Sequence, residues 1–348
     1  MNHGPLMIDI MGTTLAAGER ERLAHPLVGG VILFTRNYRD PEQLSALCGE
    51  IHALRDPPLL IAIDHEGGRV QRCREGFTAI PAMRRLGAWW DRSPRSTAET
   101  ARMLGFVLAA ELRACGVDLS FTPVLDLDWG RSRVIGDRAF HRDPRAVIDL
   151  AGGLIDGMHE AGMACCGKHF PGHGWVEADS HVSIPVDGRR LDEMSEDLLP
   201  FRALIEQGRL DAVMPAHVIY PQVDDRPAGF SPRWLGMLRE EYGFSGTIFS
   251  DDLSMAGASV AGGIVARATA AWEAGCDMLL VCNAPEAVAE VLTHWQPAPD
   301  PQRAARIARL LPTKPALTRA ELAETMLWQA GRQVVRRLEG DLPAPGKA

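Results

Sequence analysis

Short apolar runs recur along the chain, and polar or glycine-rich residues follow each of them. The apolarity within a run is nearly continuous rather than alternating, which is typical of strands buried on both faces of a parallel sheet. The eight runs are Leu6–Ile10, Gly30–Phe34, Leu59–Ile63, Val117–Thr122, Met163–Cys166, Ala212–Pro215, Thr247–Ser250 and Asp277–Val281. We therefore predict that each run is a short strand of one parallel sheet.

Stretches with helical spacing of apolar residues lie between the runs. In the clearest, Thr97–Cys115, apolar residues recur every three or four positions, and Gly116 follows its end. Ser96, followed three residues later by Glu99, predicts a capping box at its start. The other predicted helices are Pro41–Leu54, Pro144–Ala161, Glu193–Gln207, Pro232–Glu241, Gly263–Ala274 and Pro285–His294, whereas Leu15–Ala24 is weakly patterned.

This alternation of strands and helices predicts an α/β fold, a TIM-like (β/α)8 barrel. The alternative is an open doubly wound sheet, which usually carries a glycine-rich nucleotide-binding turn after its first strand. Met11-Gly12-Thr13-Thr14 supplies no such turn, so the barrel is favoured. We predict a single domain, with residues 1–295 as the catalytic barrel. Residues 296–348 would form a C-terminal helical extension packed on the barrel, with a helix over Arg319–Arg337.

Composition and charge narrow the classes of function. The chain has 348 residues, of which 46% are hydrophobic and 24% charged, as in ordinary globular proteins. A net charge of −8 without a basic block argues against general nucleic-acid binding. No apolar run approaches the ~18–20 residues that cross a bilayer, and the N-terminus lacks a signal-peptide pattern. Seven cysteines without paired spacing indicate reduced thiols, so we expect a cytoplasmic protein.

Chemically active side chains are concentrated after the predicted strands, the end at which barrel enzymes carry their chemistry. The N-terminal sides of the strands show no comparable density. These residues are Asp64, Glu66 and Arg72 after strand three; Asp126, Asp128, Arg131, Arg133 and Arg138 after strand four; Lys168, His169, His173, Asp179 and His181 after strand five; and His217, Asp251, Asp252 and Asn283 after the last three strands. This asymmetry predicts an enzyme.

Several of these features have a simpler interpretation when taken alone. The Asp251-Asp252 pair is a candidate cap for the next helix, and Lys168 with His169 is a candidate ion pair at a strand end. A phosphate-binding loop is not expected, although Gly162 and Gly167 have its spacing, because His169 stands where Ser or Thr is required.

Other classes of protein compete on the residues alone. A zinc site would draw on His169, His173, His181, His217 and Asp251, but barrel metallohydrolases usually have a close His pair after strand one, where this chain has none. A Schiff-base aldolase would use Lys168, whose neighbours look too polar for the desolvated pocket that such a lysine needs. A sugar-binding protein with an inert barrel is the non-enzymatic alternative.

Four motifs together resemble glycoside hydrolase family 3, and within it the β-N-acetylglucosaminidases of the single-domain bacterial type that acts in peptidoglycan recycling. The resemblance covers about residues 5–290. The motifs are Asp64-His-Glu-Gly-Gly-Arg-Val-Gln-Arg72, Ile135-Gly-Asp-Arg138-Ala-Phe, Lys168-His169-Phe-Pro-Gly-His-Gly followed by Asp179-Ser-His181, and Phe249-Ser-Asp251-Asp-Leu-Ser-Met255.

The resemblance implies a role for each matching position. Asp251 would be the nucleophile, and His181 would be the general acid and base in a dyad with Asp179. If the acid is instead a carboxylic acid, Glu66 and Glu177 are the candidates. No metal or other cofactor is needed for any step. The residues that would hold the terminal N-acetylglucosamine are Asp64, Arg72, Arg138, Lys168 and His169.

The implied function is that of a retaining exo-β-N-acetylglucosaminidase, a glycoside hydrolase of the β-hexosaminidase type. It would remove non-reducing terminal GlcNAc from peptidoglycan fragments (GlcNAc-1,6-anhydroMurNAc with or without peptide) in cell-wall recycling. A β-N-acetylglucosaminide phosphorylase and a zinc-dependent barrel hydrolase are the alternatives. The expected partner is a small-molecule substrate, with no nucleic acid and no membrane, and we expect a monomer.

Overall fold

The computed structural model describes residues 3–177 and 184–340 and shows a barrel of parallel strands surrounded by helices. Consecutive barrel strands are neighbours, and the last strand pairs with the first. The strands are β1 (Leu6–Asp9), β2 (Val28–Leu33), β3 (Leu60–Ile63), β4 (Leu119–Ser120), β5 (Cys166–Phe170), β6 (Ala212–Pro215), β7 (Thr247–Asp252) and β8 (Met278–Val281).

The barrel closes between β4 and β5. Parallel bridges join Leu119 to Ala164 and Val124 to Lys168, and the Cys166 N–H donates to the Thr122 carbonyl at 2.9 Å. An open doubly wound sheet would have two free edges at this point, so the barrel prediction is confirmed and the open-sheet alternative is wrong.

Helices follow the strands and cover the outside of the barrel. Two short antiparallel hairpins, His65–Gly67 with Val70–Gln71 and Ile219–Tyr220 with Asp224–Pro227, lie in loops after β3 and β6. The helices are α1 (Ala17–Leu23), α2 (Pro41–His52), α3 (Arg84–Trp90), α4 (Pro94–Arg113), α5 (Pro144–Glu160), α6 (Ser195–Glu206), α7 (Pro232–Gly236, continued by a π-helical turn Met237–Glu241), α8 (Ile264–Ala274), α9 (Pro285–His294), α10 (Pro301–Ala308), α11 (Arg319–Ala323) and α12 (Met326–Gly340). In the described ranges, none of these helices combines the length and the apolarity needed to span a bilayer.

Apolar side chains fill two layers, one inside the barrel and one between strands and helices. On β1, for example, Met7 belongs to the inner layer, whereas Leu6 and Ile8 belong to the outer layer. Each strand is therefore buried on both faces, which explains why its sequence is apolar almost throughout. Ile307 and Leu310, in and just after α10, join the inner layer.

The fifth strand lies further along the chain than the run Met163–Cys166 indicates. The structure has it at Cys166–Phe170, so the charged pair Lys168 and His169 belongs to the strand itself. Sequence apolarity ends at these residues because their side chains face the mouth of the barrel rather than its apolar interior. The pairing register with β6 shifts between Lys168 and Phe170, and both Lys168 and His169 line the same cavity.

The predicted capping box of the long helix is wrong. Helix α4 begins at Pro94, with Ser93 at the cap position. Ser96 lies inside the helix and donates to the Ser93 carbonyl, while Glu99 pairs with Arg102 at 2.5 Å. Proline at the first helical position starts the helix there, since its missing N–H would have no partner in any case.

The C-terminal segment packs against the barrel as several helices. Arg319–Arg337 divides into α11 and α12, and α12 lies along α4, where the Trp328 indole donates to Glu111 at 2.9 Å. Gly331 allows this close approach, because a Cβ there would lie 2.4 Å from a Val107 methyl group. The division at residue 295 stays a prediction.

Aspartates at the starts of β4, β6 and β8 tie neighbouring elements together at the N-terminal end of the barrel. Each carboxylate accepts a backbone N–H from the adjacent strand region and pairs with a basic side chain of a helix. The three sets are Asp118 with the Ile61 N–H (2.9 Å) and His52 (2.8 Å), Asp211 with the Cys165 N–H (2.8 Å) and His159 (2.6 Å), and Asp277 with the Ile248 N–H (2.7 Å) and Arg306 (2.7 Å). We call these sets the aspartate clasps.

The clasp at Asp211 predicts a pH-dependent contribution to stability. Its hydrogen bond to His159 raises the pKa of His159 above the ordinary 6.5. The charged form thus stabilises the fold fully below pH ~6.5, and this stability is lost as pH rises through the raised pKa. In His159→Gln we expect a loss of about 1 kcal/mol or less at pH 6, because the pair is partly exposed, and little change at pH 9. Urea denaturation at both pH values measures this, and equal losses would contradict it.

Candidate active site

The carboxyl ends of the strands surround a cavity of about 590 Å³. The proposed site residues in the described part of the chain all line it, although they come from four separate segments. They are Asp64, Arg72, Arg138, Lys168, His169 and Asp251. Asp179 and His181 lie outside the described residues. The structure thus brings together the six described side chains, and their roles stay predictions.

A network of four charged side chains lies against this cavity, with Lys168 and Glu66 buried and Asp64 and Arg138 partly exposed. The Lys168 ammonium donates to Asp64 at 2.8 Å and to Glu66 at 2.6 Å. Glu66 also accepts two bonds of 2.8 Å from the Arg138 guanidinium, in a bidentate pair. Arg72 lies 3.4 Å from Asp64 at the more exposed side. We call Asp64, Glu66, Arg138 and Lys168 the charge network.

The network keeps every member ionised. Burial on its own would raise the pKa of Glu66, but Arg138 and Lys168 outweigh it and hold that pKa well below the usual range. Burial likewise acts to raise the pKa of Asp64, and the charges of Lys168 and Arg72 again lower it. The pKa of Lys168 is raised, because Asp64 and Glu66 together outweigh the effect of burial. The cavity therefore presents fixed charges, which make strong hydrogen bonds to neutral hydroxyls.

The charge states of Glu66 and Lys168 bear on two alternatives from the sequence: Glu66 as the general acid, and an aldolase that uses Lys168. Glu66 is 3% exposed and is held as a carboxylate between two cations, so it has no proton to give to a leaving group at neutral pH. Lys168 stays an ammonium ion, whereas a Schiff base needs the free amine. The network therefore argues against Glu66 as the acid and against an aldolase.

A second buried pair lies beside the network. Asp126, fully buried after β4, accepts from the His169 Nδ1 at 2.7 Å and from the backbone N–H of His173 at 2.6 Å. The His173 ring is also buried, and burial and the nearby His169 lower its pKa. The sequence placed Asp126 and Glu66 after strands but assigned Asp126 no role. Both residues could be found from the sequence only by their position at a strand end, and that position does not reveal which groups a side chain contacts.

Asp251 lies at the end of β7, half-buried at the cavity wall. One of its oxygens, Oδ1, accepts the N–H of Asp252 at 2.8 Å. The Asp252 carboxylate accepts two hydrogen bonds from Ser254, one from its backbone N–H at 2.9 Å and one from its hydroxyl at 2.7 Å. The helix-capping interpretation is wrong for this pair, since the 3-10 helix that follows, Ala256–Ala261, has Met255 at its cap position and α8 begins only at Ile264.

The histidines of the zinc hypothesis do not share one centre in the described part of the chain. His169 uses Nδ1 on Asp126, and His217 is buried outside the cavity lining with Nε2 bonded to the Asp252 carbonyl at 3.1 Å. Within residues 3–177 and 184–340, one three-residue group has a metal-like arrangement: His159, Cys165 and Asp211. It lies at the opposite end of the barrel and forms one of the aspartate clasps.

The fold and site define a barrel enzyme with a charged cavity suited to a small polyhydroxyl substrate. The chain belongs to glycosyl hydrolase family 3, whose N-terminal domain matches residues 6–311. It is therefore a glycoside hydrolase, as the sequence motifs predicted.

Individual relatives match nearly the whole chain. The beta-hexosaminidase of Thiobacillus denitrificans is 62% identical over 313 residues, covering 88% of this chain and 87% of the relative. That of Aromatoleum aromaticum is 58% identical over 341 residues, covering 97% and 96%. NagZ from Neisseria gonorrhoeae, crystallised with N-trifluoroacetyl-D-glucosamine, matches with a TM-score of 0.91 at 50% identity over 97% of this chain and 98% of that one. A further crystal structure of that NagZ is a complex with a zinc ion.

The charge network predicts a large loss of stability when one of its charged side chains is replaced by an uncharged one. Glu66→Gln leaves Arg138 and Lys168 buried with one anion fewer, and breaking a buried ion pair costs about 3–5 kcal/mol. We expect the free energy of unfolding to fall by this amount in urea denaturation. Glu177→Gln is the matched control, because that side chain is 73% exposed; it should change stability by less than about 0.5 kcal/mol. Similar small effects of both variants would contradict the prediction.

Proposed function

We propose that this glycoside hydrolase is a retaining exo-β-N-acetylglucosaminidase that uses Asp251 as its nucleophile. The observation that carries the proposal is a carboxylate on a strand end, facing a sugar-sized cavity lined by fixed donors and acceptors. The relatives called beta-hexosaminidase and the NagZ that holds an N-acylated glucosamine support the sugar.

In the first step, Asp251 would attack the anomeric carbon. Its Oδ1 is held by the Asp252 N–H, which leaves the other oxygen to form the glycosyl–enzyme bond. The carbon–oxygen bond to the leaving group breaks as this bond forms, through an oxocarbenium-like transition state. A strand end suits a nucleophile, because the backbone there is fixed by its neighbours.

The proton for the leaving oxygen would come from His181, oriented by Asp179. A histidine titrates near neutrality, so it can give a proton to the leaving oxygen in the first step. In the second step it can take a proton from the water that attacks the anomeric carbon and breaks the bond to Asp251. Asp179 would hold the ring in one tautomer. The proposal for these two residues is supported by the sequence motif and by the state of Glu66, whose proton is absent at neutral pH.

The sugar itself would be held by Asp64, Lys168 and Arg138 of the charge network, together with Arg72 and His169. Lys168, Arg138 and Arg72 offer N–H donors, whereas Asp64 offers an acceptor. Each sugar hydroxyl both donates and accepts, so this mixture can satisfy it in both directions. No step requires a metal or an organic cofactor.

For the substrate we propose a peptidoglycan fragment, GlcNAc-1,6-anhydroMurNAc with or without peptide, met in the cytoplasm during cell-wall recycling, so that the leaving group is 1,6-anhydroMurNAc with or without peptide. The outer wall of the cavity supports an anionic leaving group, because Arg69 and Arg133 line it and are exposed. Arg69 also donates to the carbonyl of Val134, which joins the loop after β4 to the hairpin after β3.

Replacement of the nucleophile tests the proposal. Asp251→Asn should lower kcat on an aryl β-N-acetylglucosaminide and on GlcNAc-1,6-anhydroMurNAc by about 10³-fold or more, because a neutral amide cannot form the glycosyl–enzyme. Asp225→Asn, at an exposed position away from the cavity, is the matched control and should keep full activity. A fluorosugar that traps the intermediate should label Asp251 in peptide mapping. Near-normal turnover of Asp251→Asn would end the proposal, and release that requires phosphate would indicate a phosphorylase.

The acid role of His181 predicts a dependence on the leaving group. His181→Ala should slow the hydrolysis of the muropeptide about 10²–10⁴-fold. It should slow the hydrolysis of an activated aryl glycoside far less, since a good leaving group needs little protonation. Rates for a series of aryl glycosides of increasing leaving-group pKa measure this. Equal losses across the series would argue against the acid role, and the same pattern in Glu177→Gln would transfer the role to Glu177.

A further inference from the structure

We propose that Asp126 is a positioning residue that fixes the proton of His169 on Nδ1, so that Nε2 faces the sugar as a hydrogen-bond acceptor. This inference rests on the proposed function, because it assumes that His169 contacts the sugar. Asp126 itself does not line the cavity and acts through His169.

The backbone places Asp126 directly behind His169. The segment after β4 runs beside β5, with a parallel bridge between Val124 and Lys168 and a bond of 2.6 Å from the Leu125 N–H to the Lys168 carbonyl. The next residue along this segment is Asp126, and the residue after Lys168 is His169. The segment after β4 and the adjacent strand β5 thus bring the carboxylate and the imidazole into contact without any long side chain.

The two carboxylate oxygens of Asp126 bind different groups. Oδ2 lies 2.7 Å from the His169 Nδ1, whereas Oδ1 accepts two backbone N–H groups, that of His173 at 2.6 Å and that of His169 at 3.4 Å. The carboxylate is fully buried. Burial alone would raise the pKa of Asp126, but His169 and His173 outweigh it and lower the pKa below the ordinary value. The group is therefore an anion that only accepts hydrogen bonds.

An acceptor-only partner decides the tautomer of the ring. A neutral imidazole has one N–H and one lone pair, and the N–H must lie on Nδ1 to meet Asp126. Nε2 is then left with its lone pair, and His169, which is 8% exposed, lines the cavity. The adjacent side chain, Lys168, only donates, so a hydroxyl that accepts from Lys168 can donate its own proton to His169.

The variant Asp126→Asn separates this role from the anchoring of the backbone. An asparagine keeps an oxygen for the His173 N–H, but its amide presents N–H groups to Nδ1. The ring must then accept at Nδ1 and carry its proton on Nε2, which turns an acceptor toward the sugar into a donor. The size of the side chain and its buried position are unchanged.

The direct measurement is nitrogen NMR of the protein labelled at histidine, with the His169 signals assigned by their loss in His169→Ala. We expect the proton on Nδ1 in the parent protein and on Nε2 in Asp126→Asn. A parent spectrum with the proton on Nε2, or on both nitrogens, at the pH of the assay overturns the proposal. This measurement needs no variant at position 126 to fold.

The kinetic measurement uses an aryl β-N-acetylglucosaminide. We expect kcat/KM of Asp126→Asn to fall about tenfold or more, mainly through a higher KM. The reason is that a site built to hydrogen-bond a hydroxyl binds it poorly when one of the site's groups no longer matches it. In a His169→Ala background the same substitution should have no further effect, because both changes remove one interaction. Additive losses in this cycle, or an unchanged kcat/KM in the single variant, contradict the proposal.

Asp128→Asn is the matched control. It makes the same change of charge two residues away, at a carboxylate that pairs with Arg84 at 3.2 Å rather than with His169. We expect its kcat/KM within about twofold of the parent. If the parent protein releases no sugar at all, the proposed function fails, while the NMR result still decides the tautomer.

Discussion

The site depends on the burial of opposite charges at the mouth of an apolar barrel. Lys168 and Glu66 are each 3% exposed and lie 2.6 Å apart. Two such ions are costly to remove from water unless their other bonds are also made. Arg138 and Asp64 make those bonds, so the four side chains form one unit whose geometry is fixed before any substrate arrives. A substrate bound at this network would meet ordered charges rather than mobile ones, which would lower the reorganisation required during catalysis.

The two ends of the barrel use carboxylates for different purposes. At the N-terminal end, Asp118, Asp211 and Asp277 each hold a strand N–H and a helix side chain, so their oxygens are occupied by the fold. At the C-terminal end, Asp251 and Asp64 are half-buried beside the cavity. The same residue type is therefore structural where its partners come from the fold and available for chemistry where the cavity leaves room for a substrate.

The sequence predicted most of the barrel because burial on both faces leaves a strong apolar signal in each strand. It placed β5 too early, since Lys168 and His169 interrupt that signal while remaining in the strand. The predicted start of α4 was also wrong. Ser96 and Glu99 have the spacing of a capping box, but Ser96 donates to the Ser93 carbonyl and Glu99 pairs with Arg102. For the site, position after a strand indicated Asp64, Lys168 and Asp251. The sequence also placed Asp126 after a strand but gave it no role, because its contact with His169 cannot be read from its position along the chain.

The sequence by itself determined the order of strands and helices and the end of the barrel at which the candidate active-site residues lie, because both follow from local patterns and from the direction of parallel strands. Tertiary structure alone decided the states of the side chains. Glu66 is a carboxylate because Arg138 and Lys168, distant in the chain, flank it. His169 meets Asp126 because β5 closes the barrel beside the segment after β4. Protonation and hydrogen-bond direction depend on neighbours in space, and the closing of the barrel creates those neighbours.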